Sequence, residues 1–256
     1  LSNIDDPEVH RAIYESAELC NPDNVFICSD TSDEVAHIRN MAIVAGEESA
    51  ALATSGHTFH FDGPHDQGRD RQVTKLLVPK GDSLSDAINQ IEREEGLTEV
   101  HGLCKDSMKG RTMIVRFLTL GPADSEFTIY CLECTDSWYV AHSVDLLYRK
   151  GYDAFRRAGP GTEFFNTLHS AGKLNEKMVS VNHEKKRIYI DYSANTVYSI
   201  NNQYAGNSIG FKKLALRLAI RKAHQEGWLA EHFMIMGVYG PKGRKTYIAG
   251  AFPSAC

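Results

Sequence analysis

Residues 196–227 read Thr-Val-Tyr-Ser-Ile-Asn-Asn-Gln-Tyr-Ala-Gly-Asn-Ser-Ile-Gly-Phe-Lys-Lys-Leu-Ala-Leu-Arg-Leu-Ala-Ile-Arg-Lys-Ala-His-Gln-Glu-Gly. Thr196 to Ile200 is rich in β-formers and predicts a strand. Gly206 and Gly210 bracket a loop of small residues. After it Phe211, Leu214, Leu218 and the Ala215/Ala219 pair recur at helical spacing until Gly227, which predicts a helix over 211–226. Strand, loop and helix in direct succession point to an α/β fold. The loop itself, 203–213, sets a phenol, a small-residue turn, an amide and two lysines ahead of a helix. Small residues let the backbone approach a ligand, and N–H groups near a helix start favour anions. On residue chemistry alone, a solvated turn with a solvated lysine pair is the favoured reading of this stretch.

Downstream, residues 233–238 and 246–252 are short apolar runs joined by Tyr239-Gly-Pro-Lys-Gly-Arg244, the pattern of a β-hairpin. The second run passes into Pro253-Ser-Ala-Cys256. A strand edge of this kind normally feeds a crossover helix, so the sequence is expected to stop inside a domain. Upstream, Asp6 and Pro7 open a helix carrying Val9, Ile13 and Ala17. Residues 25–28, 113–118, 127–132 and 187–190 read as strands, 139–148 as a helix, and 172–186 as a long polar connection. The whole is a mixed α/β sheet with helices, without internal repeats.

The chain has 256 residues, 42% hydrophobic, with a formal net charge of −5. That suits one large domain or two modest ones. There is no run of eighteen apolar residues and no basic, apolar leader at Leu1, so neither a membrane nor secretion is expected, and a cytoplasmic location follows. The charge balance lacks the basic face that binds nucleic acid; any phosphate must be held locally. The six cysteines are scattered and read as reduced thiols. Cys131-Leu-Glu-Cys134 forms a CxxC, but a zinc site needs four ligands and no second pair accompanies it, so a buried strand is favoured. His57, His60, Asp62, His65 and Asp66 are potential metal ligands within a short span. His57 and His60 would fall on opposite faces of a strand, and a hydrogen-bonded polar loop is the favoured reading.

The run Glu226-Gly-Trp-Leu-Ala-Glu-His232, the hairpin, Ala251-Phe-Pro-Ser-Ala-Cys256 and the Tyr204 loop together resemble the GTP-dependent phosphoenolpyruvate carboxykinases in order and spacing. Met108-Lys-Gly-Arg-Thr-Met113, Leu120-Gly-Pro122, Thr135-Asp-Ser-Trp-Tyr-Val140 and Leu168-His-Ser-Ala-Gly172 extend the likeness. Thr54-Ser-Gly-His-Thr-Phe-His-Phe-Asp62 resembles a prokaryotic version.

The resemblance implies an amino-terminal oxaloacetate/phosphoenolpyruvate-binding domain over 1–227 and the first strands of a P-loop nucleotide-binding domain over 228–256. It implies the reversible conversion of oxaloacetate and GTP to phosphoenolpyruvate, GDP and CO2, in gluconeogenesis or anaplerosis. A catalytic Mn²⁺ would sit on Lys213 and His232, with an aspartate expected beyond Cys256, and Mg²⁺ would accompany GTP. A lysine ligand must be neutral, which an adjacent cation and desolvation favour. Tyr204, Ala205 and Gly206 match positions beside the substrate carboxylate or CO2; Ala205 stands where the family has glycine, so its methyl narrows the accessible φ. Ser254 matches a substrate contact, and Ala255 and Cys256 open the phosphate loop. Cys256 corresponds to a reactive loop thiol, and with Tyr204 it is an expected catalytic position, though not a nucleophile. In Asp33-Glu-Val-Ala-His-Ile-Arg39, ungapped alignment puts His37 at the family's substrate arginine. Arg39 is preferred because a guanidinium grips a carboxylate in bidentate fashion.

The 256 residues alone are expected to be inactive, because the phosphate-loop lysine and one metal ligand are not among them. A non-catalytic dicarboxylate-binding module is the alternative from another class. An unrelated P-loop kinase would have little need of the Tyr204 and Lys213 loop.

Overall fold

The computed structural model describes residues 1–50, 52–63, 65, 72–121, 123, 125–203, 218–229 and 233–251. The chain divides into two compact units, Leu1–Lys212 and Lys213–Cys256.

Local sequence explains most element ends in the first unit. Helix α1 (Pro7–Cys20) starts where Asp6 accepts a hydrogen bond from the Glu8 N–H at 2.9 Å, and it stops at Asn21, which takes the left-handed conformation. Strand β1 (Asn24–Ile27) leads to α2 (Ser32–Val44), whose start is a capping box. Thr31 accepts from the Glu34 N–H, while the Glu34 carboxylate takes bonds from Ser29 and Thr31. Burial works against that charge, but the Ser29 and Thr31 bonds outweigh it and hold the Glu34 carboxyl below its ordinary range.

Strands β2 (Thr74–Val78) and β3 (Gln90–Glu92) precede α3 (Arg93–Cys104), capped by Glu92 through the N–H groups of Glu94 and Glu95. Gly96 sits inside α3 because a Cβ there would lie 2.4 Å from Leu77; the missing side chain lets the helix press on β2. Then come β4 (Thr112–Leu120), β5 (Ile129–Thr135), α4 (Trp138–Leu147), β6 (Arg149–Lys150), α5 (Tyr152–Ala158), β7 (Phe164–Ser170), β8 (Arg187–Asp191) and β9 (Thr196–Ile200). The polar connection over 172–186 carries a short 3-10 turn, His183–Lys185, and an isolated bridge between Leu174 and Ser180.

These strands form one nine-stranded mixed sheet in the order β1-β4-β5-β7-β9-β8-β2-β3, with β6 paired to β4. Strands β5, β7 and β9 are adjacent and parallel, so their carboxyl ends open on the same side. Alternation along β4 and β5 splits the core. Met113, Val115 and Phe117 join Leu132, Cys134, Val9, Ile13, Val100 and Phe155 on one face; Ile114 joins Ile38, Ala42, Trp138 and Ala141 on the other. Cys131 and Cys134, three apart on β5, therefore point to opposite faces and are both buried, as a strand reading of the CxxC requires. Burial pushes the Cys134 thiol up to about 12.

The second unit is described by itself. It holds α6 (Ala219–Gln225) and the hairpin β10 (Phe233–Tyr239) and β11 (Lys245–Ala251), antiparallel from Phe233↔Ala251 to Tyr239↔Lys245. The hairpin expected from 233–238 and 246–252 is there, and Gly243 supplies the positive φ in its turn. Of the helix expected over 211–226, residues 211–217 lie outside the described residues.

Candidate functional site

The carboxyl ends of parallel strands are where open α/β sheets place ligands, because strands deliver loops there and leave a crevice between them. In this sheet that end belongs to β5, β7 and β9. Buried polar groups tie down each exit.

At the exit of β7, Asp136 is 3% exposed and accepts from the Ser170 hydroxyl at 2.6 Å and the Ala171 N–H at 2.8 Å. Arg111 pairs with Asp136 at 2.8 Å and donates to the Gly172 carbonyl, also at 2.8 Å. Gly172 has φ +68°, and a Cβ there would lie 2.0 Å from Asn201 Oδ1, so only glycine lets the two exits lie against each other.

At the exit of β9, Asn201 turns the chain with φ +60° and takes its N–H bond to the Ser170 carbonyl at 2.9 Å. The next residue, Asn202, is fully buried, and its carbonyl accepts from His169 Nε2 at 2.9 Å. Gln203 is also buried. Tyr204, Ala205 and Gly206 follow directly in the chain; they lie outside the described residues, as do Lys213, His232, Ser254, Ala255 and Cys256.

The third wall comes from the segment after α2. Glu47 is buried, and its carboxylate accepts from the Ser137 hydroxyl, the Trp138 N–H at 3.2 Å and the Tyr139 N–H at 3.0 Å. It thereby caps α4 from a distance in sequence, at the helix end where negative charge is favoured. Burial still pushes its carboxyl above the ordinary range, against those three bonds. The Glu47 carbonyl accepts from His60 Nδ1 at 2.6 Å, and the His60 ring stacks on Tyr139 at 3.7 Å. Glu48 pairs with His142 of α4 at 2.9 Å. Further along, His65 stacks on His183 at 3.8 Å and its carbonyl takes the Lys186 ammonium at 2.6 Å. His60 and His65 thus serve different partners, with Asp66 outside the described residues. His60 Nε2 lies 3.6 Å from Asp62 Oδ1, and both atoms are buried without a hydrogen bond. Among the described residues, no three His, Cys, Asp or Glu side chains come together as a metal-holding group.

Arg39 lies on α2, half-buried, with Nη1 against the turn at Gly56, where a Cβ would be 3.6 Å away. It has no ion pair with the described residues, so its guanidinium is uncommitted to any protein carboxylate there. His37 differs: its ring packs on Phe26 at 5.3 Å and edge-on to Trp138 at 5.7 Å. The imidazole is exposed to solvent and also forms one side of an aromatic cluster.

One hydrogen-bond chain unites these walls. Ser137 donates its hydroxyl to Glu47 and its N–H to Thr135 Oγ1 at 3.1 Å; Thr135 meets His169 Nδ1 at 2.6 Å; His169 reaches Asn202. The Arg39 turn and the lead-in to Tyr204 are thus fastened to one buried network. Sequence reading missed Glu47, Asp136 and His169. Their only local trace was Thr135-Asp-Ser137 directly before a predicted helix, a cap signal whose partners are remote.

A guanidinium without an ion pair among the described residues is a group that can receive a small carboxylate. Residues 12–224 match the phosphoenolpyruvate carboxykinase N-terminal domain, and residues 228–256 match the phosphoenolpyruvate carboxykinase C-terminal P-loop domain. A protein of Thermococcus sibiricus named phosphoenolpyruvate carboxykinase [GTP] is 50% identical over 256 residues, 100% of this chain and 41% of its own length. Proteins of the same name from Saccharolobus solfataricus and Anaeromyxobacter dehalogenans are 43% and 35% identical over 254 residues, covering 99% and 98% of this chain. The chain spans about two-fifths of these curated relatives, 40% and 41% of the last two.

Proposed function

The chain belongs to the phosphoenolpyruvate carboxykinase family, and on that footing we propose that it forms the substrate-binding part of a GTP-dependent enzyme converting oxaloacetate to phosphoenolpyruvate and CO2. The observation that carries this reading is the buried network at the carboxyl ends of β5, β7 and β9, which runs from Glu47 through Ser137, Thr135 and His169 to Asn202, two residues before Tyr204. Arg39 would clamp a substrate carboxylate through two parallel N–H···O bonds, and Tyr204 would lie beside the carboxylate or the departing CO2.

Lys213 and His232 would hold Mn²⁺. An amine and an imidazole form a nitrogen donor pair that suits a divalent transition metal, provided the lysine is neutral. When bound, the ion supplies Lewis-acid stabilisation of a developing enolate oxygen. Mg²⁺ with GTP, the phosphate-loop roles of Ser254, Ala255 and Cys256, a part in gluconeogenesis or anaplerosis and a cytoplasmic location belong to the same reading. It is supported by the family match and by the free, buried thiols Cys20, Cys28, Cys104, Cys131 and Cys134, which suit a reducing compartment.

The test is the conversion of oxaloacetate and GTP by a protein of full family length carrying this sequence, with Mn²⁺ present, monitored as phosphoenolpyruvate formed. GTP-dependent product is expected. Absence of product with GTP, or equal turnover with ATP, overturns the reading.

A further inference from the structure

We propose that His169 is a positioning residue for the substrate loop beginning at Tyr204, fixing the point at which the chain leaves the sheet through its bond to the Asn202 carbonyl. This rests on the reading of Tyr204 given above.

The bond directions are determined by elimination. The Asn202 carbonyl can only accept, so His169 Nε2 carries the proton of their 2.9 Å bond. A neutral ring then leaves Nδ1 as an acceptor, and the Thr135 hydroxyl at 2.6 Å must donate to it. The Thr135 oxygen in turn accepts from the Ser137 N–H at 3.1 Å, and the Ser137 hydroxyl donates to Glu47. His169 and Asn202 are both fully buried, so no water competes for these groups. Burial also disfavours the imidazolium and lowers the pKa of His169, which keeps one tautomer in place.

The position of the bond gives it a consequence beyond stability. Ladder pairing of β7 with β9 ends at Ser170↔Ile200, and Asn201 then turns out of the sheet. Asn202 is the second residue past the ladder and the second before Tyr204. The His169 bond therefore governs where the loop starts, and the same network reaches Glu47, whose carbonyl holds His60 in the segment that folds beside Arg39. The imidazole itself touches only Thr135 and Asn202, and the link to the segment beside Arg39 runs on through Ser137 and Glu47.

Two conservative variants separate the two edges of the ring. His169→Asn keeps a polar atom near the Nδ1 position and loses the reach to Asn202; His169→Gln keeps a donor near the Nε2 position. Hydrogen exchange on the 256-residue chain is the primary readout, since it needs no turnover. In His169→Asn the backbone amides just after Asn202 should exchange about tenfold faster or more, whereas in His169→Gln they should stay within about threefold of the parent. Thr135→Val, which frees the Nδ1 edge without altering the ring, should accelerate the same amides by a smaller factor. In the family-length protein, His169→Asn should lower kcat/KM for oxaloacetate by about tenfold with the KM for GTP unchanged, and His169→Gln should recover most of it. Equal exchange in the Asn and Gln variants, or exchange in Thr135→Val matching the parent, overturns the proposal. A parent protein without turnover rejects the activity while leaving positioning to be decided by exchange.

Discussion

Arg116 and Glu133 stand opposite each other on β4 and β5, yet the guanidinium turns away to Asp145 and Asp30 and leaves both Glu133 oxygens buried without a hydrogen-bond partner. Burial pushes the Glu133 carboxyl up to about 8, with Arg116 lowering it and Asp145 raising it. At neutral pH Glu133 holds its proton inside the fold.

The sign of the resulting pH dependence follows from linkage. Unfolded, Glu133 ionises near 4.5; folded, it keeps the proton to about 8. Its contribution to stability is fully present below 4.5 and is lost as pH rises towards 8. Glu133→Gln, neutral at every pH, should flatten that decline and be more stable than the parent at pH 8–9 by on the order of a few kcal/mol. Urea unfolding at several pH values measures it. An unchanged slope would mean that Glu133 is ionised in the native state.

Arg116→Met should destabilise the chain by about 3–5 kcal/mol, because it strands Asp145 and Asp30 in the interior. Arg116 is fully buried, and Asp145 and Asp30 are nearly so. Chemical denaturation at pH 7 gives the number. A loss below about 1 kcal/mol would show that the pair is hydrated.

Arg39→Ala in the family-length protein should raise the KM for oxaloacetate or lower kcat by about ten- to a hundredfold, the cost of a charge-assisted bidentate pair, and leave GTP affinity unchanged. His37→Ala should leave kinetics nearly intact and instead cost about 0.5–1.5 kcal/mol of stability through the Phe26 and Trp138 contacts. A kinetic defect confined to His37→Ala would move the clamp two residues earlier.

Gly172→Ala meets two obstacles, the positive φ and the Asn201 side chain. A loss of about 1–3 kcal/mol is expected. Adding Asn201→Ala should return part of it by removing the clash, so a double-mutant cycle should show coupling. Additive losses would place the strain in the backbone alone.

Much of the fold was legible from residues near in sequence. Asp6 and Pro7 announce α1, β-rich runs announce β4, β5, β8 and β9, and Gly-Pro-Lys-Gly marks the hairpin turn. The capping box at Thr31 and Glu34 was an available signal for α2 that apolar periodicity alone did not disclose. Helix α3 was hidden by Gly96 and Gly102, which weaken a helical pattern; Gly96 is there because Leu77, nineteen positions earlier, occupies the space of its side chain.

The site divides in the same way. Arg39 is nominated through the family resemblance, with the fit of a guanidinium to a carboxylate choosing it over His37. Glu47 capping α4, His169 reaching Asn202 and Glu133 left unpartnered beside Arg116 could not be nominated from sequence, because each depends on residues far apart in the chain being brought within about 3 Å. Sequence determined which segments become helices and strands, through caps, turn residues and alternation that act over a few neighbours. Only tertiary structure decided strand order, register and burial, and these decide which polar groups lose water and must find one another.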